Sequence, residues 1–218
     1  MPRSENKDPV EGMDGMLKIV SSTISRRESA IFQEPVDWKA LGLHDYRDII
    51  QNPMDLGTIK KNIEGNKYQS IEECAQDIRL VWSNCMLYNR DGSEYYHLAD
   101  KFAKAFEDAY SAVIRLQSAE GSEDNKRIPT VEQRIGLSYD IFKIDNIAMA
   151  RVLTIVEEKC PSALQRKIDE VLVNFDALYP ETFHEINKFV LEQLVGNAGL
   201  NKKRKITASA PANATKKK

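Results

Sequence analysis

Residues 29–53 constrain the fold more than any other part of this 218-residue chain. They show no sustained hydrophobic period, yet they hold Phe32, Val36, Leu41, Leu43 and Tyr46 among Pro35, Gly42 and Pro53. A connection this long is uncommon unless it serves a function, and ordinary loops run polar over the surface. Its apolar residues must line or cover something. The segments on either side are helical in pattern. Upstream, a helix from about Val10 to about Arg27 puts Met13, Met16, Leu17, Val20 and Ile24 on one stripe. Downstream, a short helix opens at Met54-Asp55, carries Leu56, Ile59 and Ile63 on one face, and stops at Gly65-Asn66.

Ser70 followed by Glu73 is a capping box, in which the serine hydroxyl satisfies one free backbone N–H and the glutamate reaches back to another. The helix it opens aligns Ile71, Cys74, Ile78, Val81, Trp82 and Cys85, and closes on Tyr88-Asn89. Asn89 to Ser93 is turn chemistry, with Ser93 placed to cap the next helix. That helix carries Tyr96, Ala99, Phe102, Ala103, Phe106, Tyr110 and Val113 at spacings of three and four. The first ~115 residues therefore read as four helices, the count of an antiparallel bundle, with the apolar loop between the first and second.

Residues 118–129 have linker composition, and a second domain begins at another capping box, Thr130 with Gln133. Its first helix is expected to run to about Phe142. Asp145 caps a second helix bearing Ile147, Ala150, Val152, Ile155 and Val156, stopped by Pro161. Glu170–Phe175 is rich in β-branched and aromatic residues and reads as a short strand. Pro180 opens a last helix with Phe183, Ile186, Phe189, Val190 and Leu194 on its buried face. The expected organisation is a flexible segment 1–9, a bundle over 10–117, a linker over 118–129, a small domain over 130–196, and a disordered basic tail over 197–218.

Charge adds a direction. Residues 201–218 carry seven cations and no acid, which leaves −9 on residues 1–200 against a chain total of −2. An acidic folded part suits a cationic partner better than DNA, and the tail adds weak nonspecific contact with nucleic acid. Cys74, Cys85 and Cys160 form no CxxC pair and no zinc pattern with the three histidines. Without a leader pattern or an apolar run of 18 residues, the chain is read as soluble and intracellular, with no membrane partner. No GxSxG, phosphate loop, GxGxxG or HExxH occurs, so an enzyme is the disfavoured class and neither cofactor nor metal is expected.

Phe32, Pro35-Val36, Leu41, Leu43, Tyr46, Pro53-Met54-Asp55, Cys85 and Tyr88-Asn89, in this order and spacing, resemble a bromodomain, a helical module that binds acetylated lysine. Arg151-Val152-Leu153, Ile155, Pro161, Val171, Val173, Phe175, Leu178 and Pro180 resemble the extra-terminal domain. That order of domains is similar to the bromodomain and extra-terminal (BET) family of chromatin proteins. The resemblance implies a mainly α chain: a left-handed four-helix bromodomain bundle, then a small three-helix extra-terminal domain with a short strand.

The resemblance also implies site residues. Asn89 would bond the acetyl carbonyl, with Tyr46 reaching it through a water. Phe32, Val36, Leu41, Leu43, Cys85 and Tyr88 would form the walls, and Tyr95 would stand at the entrance. In the second domain, Met149, Val152, Glu170, Val171, Val173 and Phe175 would accept a partner peptide by strand addition. Lys202, Lys203, Arg204 and Lys205 would form a nuclear import signal.

Departures from the family pattern matter. Ala30-Ile31-Phe32 stands where the family has a Trp-Pro-Phe shelf, and Leu172 and Asn174 occupy positions that are usually acidic. The implied function is a nuclear, non-enzymatic reader of acetylated histone tails that recruits short peptide motifs of other proteins. The competing reading is a scaffold whose bromodomain pocket no longer binds acetyllysine. Alone, Asn89 would be an ordinary helix C-cap and Tyr88 an ordinary core residue.

Overall fold

The structure, a computed structural model, describes residues 10–120, 126–167 and 170–197. The segment 1–9 and the basic tail with Lys202, Lys203, Arg204 and Lys205 lie outside the described residues. Four long or medium helices build the first domain: α1 (Met13–Ile24), α3 (Leu56–Glu64), α4 (Ile71–Asn89) and α5 (Glu94–Glu120). A 3₁₀ turn over Arg27–Phe32 and a one-turn helix α2 (Tyr46–Ile49) break up the long connection. The second domain holds α6 (Val131–Asp140), α7 (Asn146–Lys159) and α8 (Pro180–Asn197). Between α7 and α8, a two-stranded antiparallel hairpin pairs β1 (Leu164–Arg166) with β2 (Val171–Val173), Gln165 opposite Leu172.

Local chemistry starts these helices where the sequence places the caps. Asp55 accepts from Thr58 N–H at 2.8 Å, Asp145 from Ala148 N–H at 2.8 Å, and the Ser93 hydroxyl from Tyr96 N–H at 3.0 Å. The Thr130–Gln133 box closes in both directions. The Ser70 box is shifted: Glu73 reaches past Ser70 to the N–H of Gln69, at 2.7 Å. At the start of α3, Gly57 donates to the Gln33 carbonyl at 3.1 Å, and a Cβ there would stand 2.4 Å from that oxygen. Only glycine lets the loop lie this close to α3.

The sequence reading separates the two domains by a linker. In the structure α5 runs through Glu120, three residues into the expected linker, and α8 packs along α5 and α1. The buried residues of both domains form one hydrophobic cluster, from Met13 to Val195. The cause lies in the width of two helix faces. Beside its bundle stripe, α5 buries Ala105, Ala109 and Ala112, whose small side chains permit close helix approach. On α8, Thr182, Phe183, Ile186, Val190, Leu191, Leu194 and Val195 are all buried, an arc too wide for one contact surface.

Polar contacts fix the join. Asp140, 3% exposed, accepts from Arg115 at 2.5 Å. Lys143 reaches Asp108 at 2.9 Å and Asp140 at 3.4 Å. Burial works to lower the Lys143 pKa, but the Asp108 and Asp140 carboxylates outweigh it and hold the ammonium above its ordinary range. Arg26, just past α1, donates to the Asn197 carbonyl in the last turn of α8. The expected short strand is there as β2, shorter than Glu170–Phe175; its partner β1 is an addition, as Gln165 and Arg166 carry no strand signal.

Candidate functional site

The apolar loop closes one end of the bundle over a cavity of about 380 Å³. Inside the loop, Trp38 N–H bonds the Val36 carbonyl at 2.9 Å and Leu43 N–H bonds the Trp38 carbonyl at 2.8 Å. Gly42 takes a φ of 67°, a conformation that suits glycine. These turns present Val36, Leu41 and Leu43 to the cavity. Two bonds anchor the far end of the loop to α4: Asn84 Nδ2 donates to the Asn52 carbonyl at 2.8 Å, and the Tyr88 hydroxyl donates to Asp45 Oδ1 at 2.9 Å. The Tyr46 and Tyr88 rings meet edge to face at 5.0 Å.

Phe32 forms the floor. Its ring is clamped edge-on against Trp82 at 5.0 Å and Phe102 at 5.9 Å, so this wall of the cavity is rigid. Trp82 in turn stacks on Phe102 at 5.4 Å, with its indole N–H buried and unpartnered among the described residues.

Asn89 ends α4 and faces into the same cavity. Its Nδ2 donates to the Cys85 carbonyl at 2.9 Å and more weakly to the Cys85 Sγ at 3.5 Å, which fixes the amide plane. Among the described residues, the side chain is thus held by its donor end. The next residue, Arg90, adopts φ 58° and ψ 161°, a region that costs side-chain-bearing residues on the order of 1–3 kcal/mol. That strain turns the chain sharply out of α4 directly after Asn89.

Apart from Glu34, the walls are uncharged at ordinary pH. Burial, reinforced by Cys85, raises the Tyr46 phenol, and burial raises the Cys85 thiol against a small opposing bond from Asn89. Among the lining residues only Glu34 carries a charge. All nine residues the bromodomain resemblance implies line the cavity: Asn89, Tyr46, Phe32, Val36, Leu41, Leu43, Cys85, Tyr88 and Tyr95. Five more join them: Ile31, Glu34, Met54, Val81 and Asn84. Val81 and Asn84 each lie one helical turn before an expected wall residue, Cys85 and Tyr88, so the i, i+4 spacing held their signal. Leu41 and Tyr95 stand at the mouth, 65% and 54% exposed. Ile31, 46% exposed, stands on the rim beside Ala30, the position at which the family pattern has its Trp.

The residues named for the second site do not converge. Val152 is 1% exposed and belongs to the core, out of a peptide's reach. Phe175 has left the strand and begins a 3₁₀ turn. Glu170 is drawn to Lys167 at 2.8 Å across the hairpin. Val173 and Met149 pack half-buried against the core, and Val171 extends outward. Leu172, on the opposite face of β2, is as exposed as Val171. What the hairpin offers is an outer backbone edge on each of its two strands. Among the described residues, no cluster of His, Cys, Asp and Glu is arranged to hold a metal, and no helix is long and apolar enough to cross a membrane.

Comparison with known proteins bears on both halves. The bromodomain family model matches residues 16–101, and the model described as bromodomain extra-terminal, transcription regulation, matches residues 128–192. Transcription factor GTE1 of Arabidopsis thaliana is 32% identical over 174 residues, covering 74% of this chain and 45% of that protein. From the same plant, transcription factor GTE3, chloroplastic, is 38% identical over 119 residues, or 51% of this chain and 26% of that protein. Transcription factor GTE2 is 38% identical over 122 residues, or 51% and 21%. The chain spans less than half the length of these relatives.

Proposed function

Since this chain belongs to the bromodomain and extra-terminal family, we propose that it is a non-enzymatic chromatin regulator whose first domain binds acetylated lysine on histone tails. The observation that carries this reading is a largely apolar cavity of about 380 Å³, with Glu34 its single charged lining residue and the amide donor of Asn89 in its wall. Acetylation removes the charge of lysine and supplies a carbonyl acceptor. Asn89 Nδ2 exchanges its weak 3.5 Å contact with the Cys85 Sγ for a bond to that carbonyl, and the Tyr46 hydroxyl reaches it through a water. Unmodified lysine is refused because burying an unpaired ammonium costs several kcal/mol even after relaxation. The acidic balance of residues 1–200 favours a basic tail.

The second domain recruits a partner by strand addition at the β1–β2 hairpin. Backbone bonds form at an open strand edge, and Val171 and Leu172 contact the partner's alternating side chains. The protein acts in the nucleus, with Lys202, Lys203, Arg204 and Lys205 as import signal. A chloroplast address in one relative's name makes localisation of the tagged chain, with and without residues 198–218, the direct check.

Titration calorimetry of the whole chain with mono- and multi-acetylated histone-tail peptides tests the first domain. Binding should require acetylation and weaken about 5–150-fold in Asn89→Ala, since a buried carbonyl left unpaired costs about 1–3 kcal/mol. One observation favours the scaffold reading: Ile31 gives the rim no flat aromatic surface. A folded chain that ignores every acetylated peptide at millimolar concentration decides for the scaffold.

A further inference from the structure

The exposed face of α6 has no role in either proposed site. Val131, Ile135 and Tyr139 on α6 and Phe142 in the turn just after it follow one another at spacings of four, four and three, and remain 67%, 51%, 69% and 74% exposed. On the opposite face, Leu137, Asp140, Ile141 and Ile144 are buried. This segment is thus apolar on both sides, and its outer ridge has no partner within the described chain. The segments outside the described residues cannot supply one, for their only large apolar side chains are Met1, Ile168, Leu200 and Ile206.

We propose that this ridge is the contact face of a homodimer, in which α6 packs antiparallel on α6 of a second copy about a twofold axis. A ridge of i, i+4 residues is the element that interdigitates in the commonest helix–helix packing, and it is complementary to itself. The antiparallel arrangement opposes the helix dipoles and puts Val131 across from Phe142 and Ile135 across from Tyr139. Area sets the strength. With aromatics contributing 150–250 Å² each when wholly covered, the four side chains expose about 500 Å². Two such faces bury about 1,000 Å², at the lower limit for a specific interface, so the dimer is weak and forms at micromolar or higher concentration.

Sedimentation velocity of the whole chain from about 1 to 300 μM spans the weak-interface range and tests this. The mass should climb from 24.8 kDa toward twice that value. Ile135→Arg with Phe142→Asn should raise the dissociation constant at least about tenfold. Both positions are solvent-facing, and an unchanged circular dichroism spectrum confirms that the variant is folded; Ile135→Ala with Phe142→Ala serves if it is not. A wild-type chain that stays at 24.8 kDa throughout overturns the proposal. So does a dimer that the substitutions leave intact, since its contact face then lies elsewhere.

Discussion

Leu194→Ala tests whether the two domains form one cooperative unit. Leu194 lies on α8, is 2% exposed, and belongs to the hydrophobic cluster that spans both domains. Truncating a buried leucine costs about 2–5 kcal/mol, the loss of transfer energy plus a residual cavity. Both tryptophans, Trp38 and Trp82, belong to the first domain. Their fluorescence is therefore blind to the second domain unless the two unfold together. With α8 seated on α1 and α5, and Asp140 buried against Arg115, the loss must be felt by the whole molecule. At about 3 kcal/mol lost and an m-value of about 2 kcal/mol/M, the urea midpoint falls by about 1.5 M. Tryptophan fluorescence and far-ultraviolet circular dichroism should give coincident curves before and after the substitution, both shifted. A fluorescence midpoint that stays put while the dichroism curve splits in two would refute the shared core.

Three further outcomes follow from particular residues. Ile31→Trp adds an aromatic surface to the rim of the cavity and should tighten acetylated-peptide binding about 2–10-fold by calorimetry, the range of one added aromatic contact. Gly57→Ala forces a Cβ to 2.4 Å from the Gln33 carbonyl and should destabilise the chain by about 1–3 kcal/mol in urea melts, as overpacking does. Alkaline pH should weaken the fold: burial pushes the Cys74 thiol from 9.0 up to about 12, and burial with the Glu72 bond pushes Tyr110 from 10.0 up to about 12. Both groups stay protonated longer when folded, so their contribution is complete below pH 9 and is lost as pH rises toward 12. Cys74→Ala should flatten the pH 9–12 part of a stability curve; an unchanged slope counts against a buried neutral thiol.

Much of the fold is legible because its signals are local. The caps at Asp55, Ser93, Thr130 and Asp145 act within three residues, and the stripes on α3, α4 and α7 depend only on helical spacing. The loop over residues 29–53 declares the cavity because its apolar residues have no other reason to sit outside a helix. The join between domains is hidden for a physical reason: Ala105, Ala109 and Ala112 make a shallow stripe, and Asp140 looks like a surface carboxylate until Arg115 arrives from α5. β1 is equally silent, since its three residues take their shape from pairing with β2 and not from propensity. In the second domain, Val152 reads as a pocket residue only while the core behind it is unknown.

The most direct test of acetyllysine binding in this cavity is an amide and side-chain NMR titration with one histone-tail peptide in acetylated and unacetylated form. The acetylated form should shift Cys85, Asn89 with its Nδ2 protons, Tyr46 and Tyr95, while the unacetylated twin leaves them still. Equal shifts from both peptides, or shifts confined to residues away from the cavity, would contradict the account.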